Sequence, residues 1–191
     1  MKTRNLVLTG VMAALLAVCA WISIPTAVPF TLQTMGVFLA VGILGGRLGT
    51  MAVGVYLLLG AAGLPVFSHF TGGIGALTGA TGGYLLGFLL IALAMWAAEA
   101  LLGKGPLVYL SSAVVGLAAC YLFGSVWYLS LYSAGGGAAD MLTVLGWCVF
   151  PFILPDLVKL ALAFALSRRQ APALARQRGW PGISCPPPPN R

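Results

Sequence analysis

Charged side chains are so sparse in this chain that the gaps between them set its architecture. No Asp, Glu, Lys or Arg occurs from 5 to 46, from 48 to 98 or from 105 to 139. A helix needs about 20 apolar residues to cross a hydrocarbon layer about 30 Å thick. The first two gaps therefore hold two crossings each, and the remainder of the chain holds two more. With 60% hydrophobic and 7% charged residues over 191 positions, and a mean hydropathy of +1.02, a water-soluble enzyme and a disordered polypeptide are both excluded.

Proline and glycine punctuate the gaps. Pro25 and Pro29 separate spans near 5–24 and 31–46, and Gly63-Leu64-Pro65 ends a third that begins after Arg47. The fourth is expected near 82–102 and the fifth near 106–132. The second span is short for a crossing, so it should borrow extended residues from the connector that ends at Phe30. The apolar start, with Lys2 and Arg4 ahead of it, reads as a retained first span and not as a cleaved signal peptide.

Nine of the ten basic residues fall at alternate ends of these spans: Lys2 and Arg4, Arg47, Lys104, then Arg168, Arg169, Arg176, Arg178 and Arg191. Positive charge concentrates on the cytoplasmic side of membrane proteins. The expected fold is therefore an all-α integral membrane protein of six transmembrane helices with both termini cytoplasmic. Residues 1–169 form the membrane domain, and 170–191, ending in Cys185-Pro186-Pro187-Pro188-Pro189-Asn190-Arg191, form a disordered cytoplasmic tail. The basic residues are not interleaved with aromatics on one surface, which argues against nucleic acid as a partner.

Two charges lie where none is expected. In Phe150-Pro151-Phe152-Ile153-Leu154-Pro155-Asp156-Leu157-Val158-Lys159-Leu160, an acid and a base sit three residues apart within an apolar run. Each costs roughly 2.5–3.5 kcal/mol at the centre of a bilayer, so they should face a cavity or one another. On a helix they share a face. Arg168 marks the inner boundary, which places Lys159 about 13–14 Å deeper at 1.5 Å per residue, with Asp156 one turn further out. Pro151 should interrupt the chain here, leaving a shallow outer segment near 139–150 and a helix that starts at Pro155. Asp156, Lys159 and a helix amino terminus would suit an organic acid with further hydrogen-bonding groups; an internal structural salt bridge between spans is the competing reading.

Other features carry less. Thr31-Leu32-Gln33-Thr34 could line the same site or cap the second span. The connector Leu64–Ala80 combines glycines, hydroxyls and large apolar residues, a composition suited to a lid over a cavity. Small residues at four-residue spacing, Ala13 and Ala17 among them, let a partner helix approach the first span. Glu99 should be an interfacial charge satisfied by Lys104 or water. Four cysteines lack metal or disulfide spacing, one histidine has no carboxylate cluster, and no phosphate-binding loop or catalytic triad occurs. No metal, no cofactor and no enzymatic activity are expected, and energy from ATP would have to come through another polypeptide.

Four ordered segments, Val28-Pro29-Phe30-Thr31-Leu32-Gln33-Thr34, Gly63-Leu64-Pro65-Val66-Phe67, Thr81-Gly82-Gly83-Tyr84-Leu85-Leu86-Gly87-Phe88 and Pro155-Asp156-Leu157-Val158-Lys159, together resemble the BioY family, the biotin-specific substrate-binding subunits of energy-coupling factor (ECF) transporters. The resemblance runs from the first span to about residue 167. It implies a subunit that captures biotin at the outer face of the bacterial inner membrane. Its implied partners are a transmembrane coupling protein and two ATP-binding cassette ATPase subunits. Implied ligand-facing positions are Asp156, Lys159, Gly72, Gly73, Gly75, Thr81 and Tyr84, with Gln33 from the polar cluster above. Ala13 and Ala17 correspond to the small-residue motif offered to the coupling protein. Ala80 replaces the proline usual before Thr-Gly-Gly-Tyr, and Leu154-Pro155-Asp156 replaces Pro-Gly-Asp. On biotin, Asp156 would accept a ureido N–H and Lys159 would donate to a ureido or carboxylate oxygen, with Trp127, Tyr128, Trp147 or Phe150 as apolar contacts or lipid-interface aromatics. A transporter of biotin or a related vitamin working alone is the alternative.

Overall fold

The structure is a computed structural model that describes residues 3–24, 30–137 and 139–178, with the backbone alone from 171 onward. Eight helices follow in order: α1 (Thr3–Trp21), α2 (Gln33–Leu44), α3 (Gly46–Ala61), α4 (Ile74–Thr78), α5 (Gly82–Leu102), α6 (Pro106–Ala134), α7 (Met141–Cys148) and α8 (Phe150–Arg178). A two-residue ribbon, β1 (Ser23–Ile24) antiparallel to β2 (Phe30–Thr31), joins α1 to α2. Val28 and Pro29 lie outside the described residues, as do Cys185 and the rest of the tail beyond Arg178.

Four helices are long and apolar enough to cross a membrane: α1, α5, α6 and the Phe150–Gln170 part of α8. α2 and α3 are shorter apolar helices. Extended Phe30 and Thr31 precede α2, as expected of the connector that leads into this short helix. The α2–α3 turn is tighter than the expected break after Arg47. Gly45 alone separates the two helices, with φ +85° in the region that favours glycine, and Arg47 already belongs to α3.

The break ahead of the last helix also differs from expectation. It falls at Val149 (φ −125°, ψ −57°), and α8 runs on through both Pro151 and Pro155. Pro151 sits in the first turn of α8, where a missing N–H leaves no intrahelical bond unmade. Helix α7 is the shallow segment expected near 139–150, and Asp140 caps it by accepting from the Thr143 amide at 3.1 Å and from the Thr143 hydroxyl. These bonds favour the ionised form and lower the Asp140 pKa.

Close packing depends on missing side chains. α5 and α6 form the most extensive helix pair, and a Cβ on Gly116 would lie 2.9 Å from the Ile91 Cα. A Cβ on Gly49 would lie 2.6 Å from the Val41 Cα, which brings α3 against α2. Hydroxyls on the helices bond to carbonyls one turn back, as Thr9 does to Asn5 (2.8 Å), Ser112 to Val108 (2.6 Å) and Ser167 to Ala163 (2.7 Å). These three hydroxyls are then not left bare in an apolar medium. Cys19, Cys120 and Cys148 are free thiols buried within the fold.

The two ends of the bundle differ. At one, Glu99 receives the Gly46 amide at 2.6 Å and pairs with Lys104 at 3.2 Å, so an anion sits on the amino terminus of α3. Arg47, Lys104 and the Arg168–Arg169 pair collect there, since a Cβ on Gly42, near the foot of α2, would lie 2.8 Å from the Ser167 side chain. At the other end lie the ribbon, the 64–80 connector and α7.

The α5–α6 contact yields a stability test. Gly116→Leu should lower the thermal unfolding midpoint of detergent-purified protein, through an overpacking cost of about 1–3 kcal/mol. Gly54→Ala, where an added Cβ meets nothing within 4 Å, should leave the midpoint unchanged or raise it slightly.

Candidate functional site

A cavity of about 460 Å³ opens at the end opposite the basic cluster, within the range of small-molecule sites. α8 supplies its charges. Asp156 and Lys159 are 2% and 5% exposed, and the Lys159 Nζ lies 2.7 Å from the Asp156 Oδ1. Both also line the cavity. The salt bridge is thus internal to α8 and not between spans, and it forms part of a cavity wall.

The pair is held from three directions. Thr34, in the first turn of α2, donates to Asp156 Oδ1 at 2.9 Å. Tyr121 of α6 donates to Asp156 Oδ2 at 2.6 Å. Lys159 donates to the Thr31 carbonyl at 2.6 Å, and its ammonium stands 4.1 Å from the centre of the Phe30 ring. Phe30 in turn stacks on Phe152 of α8 at 5.9 Å. With two N–H groups of the ammonium engaged on oxygen acceptors, the third has no oxygen partner among the described residues.

Gln33 extends this polar wall. Its amide nitrogen donates to the Tyr56 hydroxyl at 2.6 Å, and its carbonyl accepts from the Thr31 hydroxyl at 2.9 Å. The other open reading, that Thr31–Thr34 caps α2, has support as well: Leu32 at the cap makes no side-chain bond, but the Thr31 hydroxyl accepts from the Gln33 backbone N–H, the first of α2, at 3.3 Å.

The 64–80 connector forms the outer wall. It contains a 3₁₀ turn at Ser68–Phe70 and the short helix α4. Phe67 lies directly over Gly60, where a Cβ would meet its ring at 2.0 Å, and packs edge-on against Tyr56 at 5.4 Å. Gly72 crosses so close to the Leu64 carbonyl oxygen that a Cβ would come within 2.1 Å. Trp21 donates to the Pro65 carbonyl at 2.9 Å and stacks on Phe70, while Trp127 donates to the Gly79 carbonyl at 3.0 Å. The connector is therefore fastened to α1, α3 and α6.

Of the residues expected to face a ligand, Asp156, Lys159, Gln33, Gly72, Gly75, Thr81 and Tyr84 all line the cavity. Gly73 does not. Its amide donates to the Gly60 carbonyl at 2.7 Å, and its φ of +90° starts α4, so it anchors the connector instead. Tyr84 turns its hydroxyl to Ser125 at 3.1 Å. The aromatics expected as apolar contacts also need revision. Trp127, Tyr128, Trp147 and Phe150 are not cavity-lining residues, and Phe67, Phe88, Tyr121 and Phe152 take that place. Trp147 and Phe150 are 45% and 55% exposed on the outside.

Ala13 and Ala17 are a further correction. They are 2% and 6% exposed, turned inward with Leu16 and Ala20, and cannot meet a separate helix. The small residues on the exposed side of α1 are Gly10 and Ala14. Spacing alone fits both pairs, and only the packing of α1 on α2 and α3 selects between them.

Sequence reasoning missed Tyr121, Thr34 as a partner of Asp156, and Phe30 beneath Lys159. Nothing in the run around Tyr121 marks it, because its role depends on α6 facing α8 at that depth.

Comparison with known proteins adds identity to this geometry. The chain matches the BioY family model over residues 1–176. It is 43% identical to the biotin transporter BioY of Thermotoga maritima, covering 87% of this chain and 95% of the relative. It is 40% identical to a probable biotin transporter BioY of Pyrococcus horikoshii, covering 88% and 97%. A crystal structure of the S-component for biotin from an ECF-type ABC transporter superposes with a TM-score of 0.78 at 27% identity, over 95% of this chain and 94% of the other.

The arrangement separates a structural pair from an incidental one. Asp156→Ala should lower stability by about 3–5 kcal/mol, because Lys159 is left buried without its counter-ion. The double variant Asp156→Asn/Lys159→Met should recover most of that loss in detergent thermal unfolding.

Proposed function

Because the chain belongs to the BioY family, we propose that it is the biotin-binding subunit of an ECF-type uptake transporter in the bacterial inner membrane, coupled to a transmembrane partner and two ATP-binding cassette ATPases. Six spans carry it: α1, α2 with its extended lead, α3, α5, α6 and α8. Both termini are cytoplasmic and the cavity faces outward. Residues 1–169 are the membrane unit, and 170–191 the cytoplasmic tail, whose first part continues α8 to Arg178. The basic cluster at the end opposite the cavity supports this orientation.

The observation that carries the reading is a neutral ion pair set in a cavity whose other described lining residues are uncharged, part polar and part apolar. Biotin combines a ureido group, which needs donors and acceptors, with an apolar bicycle and chain. Lys159, Asp156, Gln33 and Thr81 supply the polar contacts, and Phe67, Phe88 and Phe152 the apolar ones. Gly72 and Gly75 allow the connector backbone to approach the ligand, with Tyr84 beside it. Since the sequence contains no phosphate-binding loop motif, ATP acts through the partners.

Binding of labelled biotin to the detergent-purified chain tests the proposal. Biotin should bind, and thiamine and riboflavin should not compete; tight binding of another vitamin without biotin would reject the assignment. Asp156→Asn/Lys159→Met, chosen to stay folded, should weaken biotin binding by roughly tenfold to a hundredfold, the value of one or two charge-assisted hydrogen bonds. Uptake that persists with the ATPase subunits absent would instead favour a transporter working alone. Gly10→Leu/Ala14→Leu should leave biotin binding intact but reduce co-purification with the coupling subunit.

A further inference from the structure

The balance of charge in the cavity bears on which end of the ligand is held. Among the described lining residues, Asp156 and Lys159 are the ionised ones, and they neutralise each other at 2.7 Å. Asp156 already accepts three hydrogen bonds, two at Oδ1 and one at Oδ2. A carboxylate offers about four lone-pair sites, so one acceptor position remains at Oδ2. Lys159 has one N–H left. This remaining capacity, one donor and one acceptor on a pair of zero net charge, matches a neutral group that carries both C=O and N–H. A ligand carboxylate at Lys159 would instead place two anions around one cation in a buried setting, which is electrostatically costly.

The outer wall is different. Ser68, Thr71, Gly72, Gly75 and Ala76 line the cavity with hydroxyls and backbone but no charge. Thr71, Gly72 and Gly75 are at the same time exposed to solvent. At Gly75 even an added Cβ would meet nothing within 4 Å. An anion at this wall keeps its water and gains no ion pair.

Resting on the biotin reading, we infer that the buried pair holds the ureido end and the acyl end lies at the outer wall, unpaired, so that biotin in amide linkage is a ligand of this chain as well as free biotin. The substrate class is then biotin and N-biotinyl amides, including biotinyl-lysine, which peptide-bond hydrolysis of a biotin-carrying protein supplies. Replacing the carboxylate by an amide removes a charge that, among the described lining residues, no side chain at this wall answers.

Competition against labelled biotin on the detergent-purified full chain tests this, with biotin amide and biotinyl-lysine as probes. Both should displace it with affinities within roughly tenfold of biotin itself. Failure of both to compete while biotin binds would overturn the inference and leave the biotin reading standing; failure of biotin itself to bind would sink that reading instead. A second measurement locates the charge contact. Lys159→Met should weaken biotin and biotin amide by the same factor, and the Asp156→Asn/Lys159→Met protein serves if the single variant does not fold. A loss confined to biotin would place the carboxylate on Lys159 and overturn the inference.

Discussion

An ammonium and a carboxylate buried among apolar helices are tolerable only if they find each other and if their remaining hydrogen-bonding capacity is met. In this chain both conditions fall on one helical turn, and the residues that meet them come from elsewhere. Thr34 approaches from the start of α2, Tyr121 from α6, and Phe30 and Thr31 from the ribbon. The ion pair therefore ties three parts of the fold to α8 at a single depth, and the cavity wall has its shape because those ties exist. Once the pair is satisfied it is electrically neutral, which suits the cavity to a polar but uncharged group better than to a free anion.

The rest of the cavity depends on backbone proximity more than on charge. The connector that closes it is held down by a phenylalanine seated on Gly60, by a crossing at Gly72, and by two indole N–H groups that bond to its carbonyls. None of these contacts uses an ionised side chain, which fits a wall that meets water on one side and a ligand on the other. The opposite end of the bundle shows the reverse economy: Glu99 there joins the α3 amino terminus to Lys104, and the basic residues gather around it. The cavity and the cationic end are thereby kept at a distance by the length of the helices.

Much of this was legible from residue order. Uncharged gaps located the helices to within a few residues, since apolar length is what a bilayer demands. The misplacement of Asp156 and Lys159 pointed to the site because a charge in such a run needs a reason. Errors arose where two arrangements share one sequence pattern. Ala13 with Ala17 and Gly10 with Ala14 are both small pairs one turn apart, and only the rotation of α1 about its axis decides which is buried. Pro151 marks a helix boundary, yet proline is equally at home inside a first turn, and the break fell at Val149. Gly73 belongs to the same glycine-rich stretch as Gly72 and Gly75 but spends its amide on Gly60.

Taken alone, the sequence determined the apolar character of this protein, the end at which positive charge collects, and the turn where Asp156 and Lys159 are buried. Those properties follow from local composition and from the cost of dehydrating a charge, and neither requires knowledge of neighbours. Tertiary structure alone decided that Tyr121 completes the carboxylate, that Phe30 underlies the ammonium, and which aromatic rings face inward. Those choices are set by helix rotation and depth, which are properties of packing between segments distant in the chain.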